Sequence, residues 1–355
     1  MSALSINAQA VERSDEAKLS PEPGGLWSDV WKRFRRDRIA LYGFYVVGFL
    51  IAAALFADFI ANDKPYYLSY KGNSYFPIFR SYLVGARIGQ WPAELQNVDF
   101  KKLEGASAVY PPIPYRPTNI NLLEPLEPPS NRHWLGTDKL GRDVMAGMIH
   151  GSRVSLSIGF VAVGIAVMIG VVLGAIAGYF GSWIDLTISR FFEIMLSIPT
   201  FFLLITIAAL LPPSIYLTML IIGATSWVGI ARFTRNEFLR IRNLDYVTSA
   251  IALGVSDRKV MFKHILPNAL APVIVSVVLG IAGAILIESS LSFLGIGVPA
   301  ELVTWGSILQ EASGATFAWW LAVFPGFAIF VTVLAYYLVG EGLREVLDPR
   351  LRGLR

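Results

Sequence analysis

The 355 residues carry 30 Lys and Arg against 26 Asp and Glu, yet only 16% of positions are charged and 54% are hydrophobic. A soluble domain keeps about a quarter of its residues charged, so this composition excludes an ordinary soluble enzyme or binding module. The net charge of +4 excludes no partner by itself, while the absence of cysteine excludes disulfides.

The hydrophobic residues gather into six runs, at 39–61, 154–179, 188–211, 215–232, 269–294 and 318–339. Each approaches the ~20 residues a helix needs to cross a ~30 Å hydrocarbon core. Unbroken runs exclude a barrel, whose ~10-residue strands alternate apolar and polar positions. The fold class is therefore an all-α integral membrane bundle with six transmembrane helices.

In chain order, residues 1–25 are polar, with Pro21, Pro23 and two glycines, and read as a mobile tail. Leu26, Trp27, Val30, Trp31 and Phe34 then recur at helical spacing, which predicts an amphipathic interfacial helix over 27–38. Lys32, Arg33, Arg35, Arg36 and Arg38 crowd it. They read as a topology signal and a contact with lipid headgroups, not as a nucleic-acid site. The run at 39–61 is too long for a signal sequence and lies behind a polar leader, so it reads as an uncleaved first span.

Residues 62–138 form a long exported segment. It holds Tyr66, Tyr67, Tyr70, Tyr75, Phe76, Phe79, Tyr82, Trp91 and Phe100, followed by seven prolines between Pro111 and Pro129. Loops of this length without structure are uncommon unless they carry function. The preferred reading is a small folded cap with an aromatic core; the alternative is a loop spread on the membrane interface, where Trp and Tyr also concentrate. Between 134 and 154, Val144, Met145, Met148 and Ile149 predict a short interfacial helix ahead of span two. In that span Gly170, Gly174 and Gly178 recur every four residues and form one face for close helix packing.

Span three contains Glu193 and span five Glu288. An ionised carboxylate near the bilayer centre costs roughly 2.5–3.5 kcal/mol, so each is expected to face protein or water. Glu288 is the translocation-path candidate, with an interhelical hydrogen bond near Ser289 and Ser290 as the competing reading. His133, His150 and His264 are scattered without metal-ligand spacing, and no metal is expected.

The stretch 236–267, between spans four and five, reads as helix, break, helix, stop. Residues 245–253 favour a helix, and Gly254 can take the left-handed conformation that ends one. Ser256 or Asp257 can cap the next helix, and Pro267 is expected to close it before span five. About thirty residues is more than a connection needs, which suggests a docking surface. Arg235, Arg240, Arg242, Arg258, Lys259 and Lys263 lie in this region, whereas 212–214 and 295–317 contain no Lys or Arg. The positive-inside rule then places both termini in the cytoplasm, and long segments such as 62–153 cross regardless of charge.

Residues 250–268 resemble the coupling loop of ABC importer permeases, which reads Glu-Ala-Ala, then Gly four residues after the last Ala, then Ile-x-Leu-Pro. Ala250, Gly254, Ile265, Leu266 and Pro267 are kept, though Ile265 and Leu266 are adjacent here, while Thr248 and Ser249 stand where the family has Glu and Ala. The missing Glu removes a carboxylate available to a basic residue of the ATPase. The stretches 31–41, 135–143, 290–297 and 342–350 resemble signatures of the dipeptide and oligopeptide permease C-type subfamily. Residues 64–72, with Tyr75-Phe-Pro, resemble its Yej-type branch, linked to peptide and microcin C uptake.

The resemblance implies a type I ABC importer permease of the bacterial inner membrane, multi-pass, with an enlarged periplasmic segment after the first span. Its divisions are a cytoplasmic tail with interfacial helix (1–38), span one (39–61), the periplasmic segment (62–153), a five-helix permease domain (154–342) and a cytoplasmic tail (343–355). The implied partners are a second permease subunit in a heterodimer, an ATP-binding cassette ATPase, a periplasmic peptide-binding protein, the peptide substrate and membrane lipid. The implied ATPase-docking residues are Thr248, Ser249, Ala250, Leu253, Gly254, Val255, Ser256, Asp257 and Pro267. This chain has no G-x-x-x-x-G-K-[ST] loop, so ATP and Mg are expected on the partner ATPase and no cofactor here. A secondary transporter would show paired broken helices and midplane coupling charges, and a sensor would carry a signalling domain. An importer of the same kind for nickel or a sugar stays open at this point.

Overall fold

The structure, a computed structural model, describes residues 26–347 other than 97, 104 and 300. The tail at 1–25 and the end of the 342–350 signature lie outside the described residues. Helix α1 (Leu26–Phe34) leads into α2 (Arg38–Leu55) through Asp37. The Asp37 carboxylate accepts from the amides of Ile39 at 2.9 Å and Ala40 at 3.2 Å, a side-chain cap on donors the helix leaves unpaired. Phe34 is buried with Ala40 and Val339, which fixes α1 beside the end of the last helix. Span one is shorter than the hydropathy run, because α2 stops at Leu55 and a separate turn, Ala57–Ile60, follows.

The segment after it is folded. Strands β1 (Tyr67–Tyr70), β2 (Asn73–Tyr75) and β3 (Ser107–Val109) make an antiparallel sheet in the order β2-β1-β3, and α3 (Pro77–Gly85) packs beside it. Its core differs from the expectation. Leu68, Ile78 and Leu95 are buried, whereas Phe76, Phe79 and Tyr82 are about half exposed. Aliphatic side chains from strand, helix and loop fit the small interior, and Phe76 and Phe79 instead line a groove of about 390 Å³ with Tyr75, Trp91 and Pro92.

No separate interfacial helix precedes span two. Residues 134–143 form a turn, and 144–154 are the first turns of α4 (Val144–Phe180), a single helix of 37 residues. Asp143 starts it by accepting from the Ala146 amide at 2.7 Å, and no proline interrupts it. At ~1.5 Å per residue α4 is about 55 Å long, more than a ~30 Å hydrocarbon core.

The third run is not one straight span. It divides into α5 (Ser182–Ser197) and α6 (Thr200–Leu210), bent by 78°. Pro199 lacks an N–H and forces Ile198 into an extended conformation with ψ 122°. The remaining elements are α7 (Ile215–Arg242), α8 (Asp245–Ala252), α9 (Asp257–Phe293), α10 (Trp305–Ala312) and α11 (Trp320–Leu347). Among the described residues, five helices are long and apolar enough to span a membrane, or six with the bent pair as one span.

Two further expectations need correction. The helix after the elbow does not stop at Pro267. Residues Val260–Ile265 form a π turn, and the chain continues through Pro267 into span five. The wider turn ahead of the proline absorbs both its missing donor and the bulk of its ring. Helix α7 also runs to Arg242, so Arg235, Arg240 and Arg242 lie on a helix and the irregular elbow is shorter than 236–267. The bundle closes around Ile158, Leu204, Ile222, Ile281 and Ile285, with α11 packed between α2 and α9.

Candidate functional site: the elbow between α7 and α9

Helix α8 ends in a complete left-handed cap. Gly254 has φ +79°; its amide donates to the Ile251 carbonyl at 2.9 Å, and the Val255 amide donates to the Ala250 carbonyl at 3.1 Å. This six-to-one, five-to-two pair satisfies carbonyls the helix would leave open, and only glycine takes the turn without strain. Val255 then packs with Val247, Val260, Ile265 and Phe238, in a cluster that also holds Tyr179 and Ile241.

Polar bonds fix the same corner. The Tyr179 hydroxyl donates to the Asp257 carboxylate at 2.6 Å, and the Arg242 guanidinium donates to the Tyr179 carbonyl. Asn268 donates to the His264 carbonyl at 3.0 Å and to the Tyr246 hydroxyl at 3.2 Å. Arg235 pairs with Asp185, tying α7 to α5. The elbow is a rigid extension of the bundle rather than a loose loop.

Its outer side is open. Thr248, Ser249, Gly254, Ser256, Asp257 and Pro267 are exposed, and Leu253 is 84% exposed. A Cβ added at Gly254 would meet nothing within 4 Å. Ala250 and Val247 face inward and are buried. Ser256 stands at the N-cap of α9 without a side-chain bond, and the Asp257 carboxylate is engaged by Tyr179 instead. That bond, across 78 positions of sequence, had no local signal; nor had the Arg242–Tyr179 contact.

Glu288 is elsewhere and has another role. Its side chain is fully buried and accepts from Ser292 at 2.7 Å, Ser155 at 3.1 Å and Ser289 at 3.4 Å. Within this chain it has no open surface, and the hydrogen-bond reading is the one its geometry meets. Ser290 takes no part, donating instead to the Leu286 carbonyl. Glu193 pairs with Arg190 on its own helix at 2.6 Å, and both side chains are exposed. Gly170, Gly174 and Gly178 all face α7. A Cβ would come within 2.9 Å of the Trp227 carbonyl at Gly170, would overlap the Ala231 carbonyl at Gly174, and would come within 2.6 Å of the Arg235 carbonyl at Gly178.

At the other end of α4, residues 135–143 form a hub. Arg142 pairs with Asp138 at 2.5 Å and with Glu311 of α10 at 2.7 Å, and Trp320 donates to the Thr137 carbonyl at 3.0 Å. Nearby, ligand atoms of Glu124, Glu127 and His133 lie within 4.8 Å of one another. Histidine spacing alone had not revealed this cluster, because two of its members are carboxylates on a folded loop.

Spanning helices, a close-packed interior and a rigid polar elbow define a polytopic membrane protein of the all-α class. A family model for the binding-protein-dependent transport system inner membrane component matches residues 170–353, and one for the N-terminal TM domain of oligopeptide transport permease C matches residues 25–77. The chain belongs to this family of ABC transporter permeases, in its peptide-permease branch, and is a transport subunit rather than an enzyme. It is 33% identical over 350 residues to the peptidoglycan transport system permease protein YejE of Agrobacterium fabrum, covering 90% of this chain and 92% of that one. It is 32% identical over 326 residues to the inner membrane ABC transporter permease protein YejE of Escherichia coli, covering 90% and 96%. It is 31% identical over 344 residues to the oligopeptide transport system permease protein OppC of Bacillus subtilis, covering 97% and 96%.

Proposed function

We propose that this chain is one of the two channel-forming subunits of an ATP-driven importer that carries peptides into the bacterial cytoplasm. The names of its relatives, which speak of oligopeptides, dipeptides and peptidoglycan, support the substrate class. Both termini and the elbow face the cytoplasm in this reading, as the Lys and Arg distribution suggests. The folded segment after span one faces the periplasm and meets a peptide-binding protein. A second permease subunit completes the pore, lipid covers the remaining apolar helix faces, and ATP and Mg reside on a separate ATPase.

One observation carries the reading. Leu253, an apolar side chain 84% exposed, stands beside the open space at Gly254 on an elbow held rigid from behind. An exposed leucine on a rigid projection suits insertion into a groove of a soluble partner. Thr248 and Ser249 flank it where a carboxylate would stand, so apolar contact and hydrogen bonds replace an ion pair there.

Co-expression with the cognate ATP-binding subunit tests this. Affinity capture of the chain should bring down the ATPase, and Leu253→Asp should reduce capture about tenfold or more, as loss of a central apolar contact does. Equal capture by both forms would remove the elbow from the interface.

A further inference from the structure

We propose that Glu124, Glu127 and His133 form a binding site for a divalent transition-metal ion, with Zn²⁺ the best match, which ties the two ends of the 124–133 loop together just ahead of α4. His133 is the centre of the argument. It is only 3% exposed, and its Nδ1 lies 2.7 Å from a carboxylate oxygen of Asp143, itself buried. A carboxylate accepts there, so Nδ1 carries the proton and Nε2 presents its lone pair. The Asp143 carboxylate is fixed in turn by the Ala146 amide at 2.7 Å. A buried carboxylate that orients a histidine through one nitrogen, leaving the other free, is the arrangement that supports metal-ligating histidines.

The free nitrogen faces the two glutamates. Glu124 Oε2 lies 3.6 Å from Nε2, too long for a hydrogen bond. It is close to the separation of about 3.4 Å that two ligands adopt around a tetrahedral ion with bonds of ~2.0–2.1 Å. Glu127 is within 4.8 Å of both, so closure needs a shift of a side-chain torsion, not of the backbone. The backbone is already held: the Thr137 amide donates to the Glu127 carbonyl at 2.9 Å, and the Glu127 amide donates to the Thr137 hydroxyl at 2.8 Å.

Two side chains compete for the Glu124 carboxylate. Glu124 also accepts from Asn121 at 2.9 Å and from Arg132 at 3.3 Å, and the Arg132 side chain is 77% exposed and free to swing away. The Glu127 carboxylate makes no hydrogen bond or ion pair among the described residues. Two carboxylates with one imidazole suit Zn²⁺ or Mn²⁺ more than Mg²⁺ or Ca²⁺, which favour all-oxygen shells, and water completes the coordination.

The test uses the full-length chain, purified in detergent without a polyhistidine tag, stripped with EDTA and titrated with ZnCl₂ by calorimetry. One equivalent should bind, and the unfolding temperature should rise with bound metal because the ion stabilises the folded state. Glu127→Gln should weaken Zn²⁺ binding about tenfold or more, while its unfolding temperature in EDTA matches the parent's. His133→Gln should do the same to binding; if that variant does not fold, the Glu127→Gln comparison decides alone. Absence of stoichiometric Zn²⁺ binding, or affinity unchanged by Glu127→Gln, overturns the proposal.

Discussion

Asp58 is a single carboxylate at the junction of three elements. It follows α2, accepts from the Tyr82 hydroxyl of α3 at 2.8 Å and pairs with Arg153 of α4 at 2.9 Å. Burial pushes its carboxyl up, but the hydrogen bonds from Tyr82 and Arg153 outweigh this and hold it below the usual 3.8. A depressed carboxylate contributes stability above its unfolded value and loses it as pH falls through the folded one. Asp58→Asn should therefore lower stability by about 1.5–3 kcal/mol at neutral pH, and the gap to the parent should close below pH 3.8, as read by thermal unfolding in detergent at both pH values. Gly174 makes a steric claim of the same size. Inside a membrane, helices associate through close approach, and Gly174→Leu would force α4 away from α7. It should destabilise by about 1–3 kcal/mol or more, whereas Gly164→Leu, with nothing within 4 Å of its Cβ, should leave the elution profile and unfolding temperature unchanged.

At the scale of elements, the cap makes the clearest prediction. Strand β3 returns beside β1, pairing Ser107 with Ser69, so residues 71–106 can be replaced by a short turn without unpairing the two strands. That change removes β2, α3 and the aromatic groove. It should cost several kcal/mol, because it takes Ile78 and Leu95 away from Leu68 as well as breaking the Tyr82–Asp58 bond, and leave the spans inserted, while peptide uptake in cells falls at equal protein abundance. Unchanged uptake would show that the groove takes no part. The spans themselves were legible because a bilayer demands apolar side chains at every lipid-facing position, and a hydropathy run reports that directly. The bend between α5 and α6 escaped the count because apolar content is blind to one proline, though Pro199 alone carries the signal. The passage of α9 through Pro267 was hidden for a different reason: a π turn stabilised by packing against α8 and α7 has no local sequence pattern. The elbow's glycine cap could be read from Gly254 and its flanks, but not what holds it, since Tyr179 and Asp257 meet only after α4 and α9 are packed. Of the partners of Glu288, Ser289 was within reach of the sequence and Ser292 lies one turn on, whereas Ser155, 133 positions away, was concealed likewise.

At the scale of the whole molecule, orientation comes first. The chain contains no cysteine, so single replacements report cleanly. Ser74→Cys, on the exposed β2, should react with an impermeant thiol reagent added outside spheroplasts, and Asn243→Cys, at the elbow, should react only after the membrane is opened. Labelling of Asn243→Cys from outside would invert the orientation and remove the elbow from the cytoplasm. In the proposed function the ATPase docks on the elbow, and Gly254 is the residue on which to test it. Any side chain there meets open space within this chain but carries a left-handed backbone penalty of ~1–2 kcal/mol and intrudes on whatever docks against the elbow. The measurement is ATP hydrolysis by the assembled complex in proteoliposomes, with and without peptide-loaded binding protein. Gly254→Val should assemble in the membrane yet lose stimulated hydrolysis, and Gly254→Ala should be milder where contact outweighs backbone strain. A Gly254→Val complex with stimulated hydrolysis and peptide uptake equal to the parent's would contradict the account.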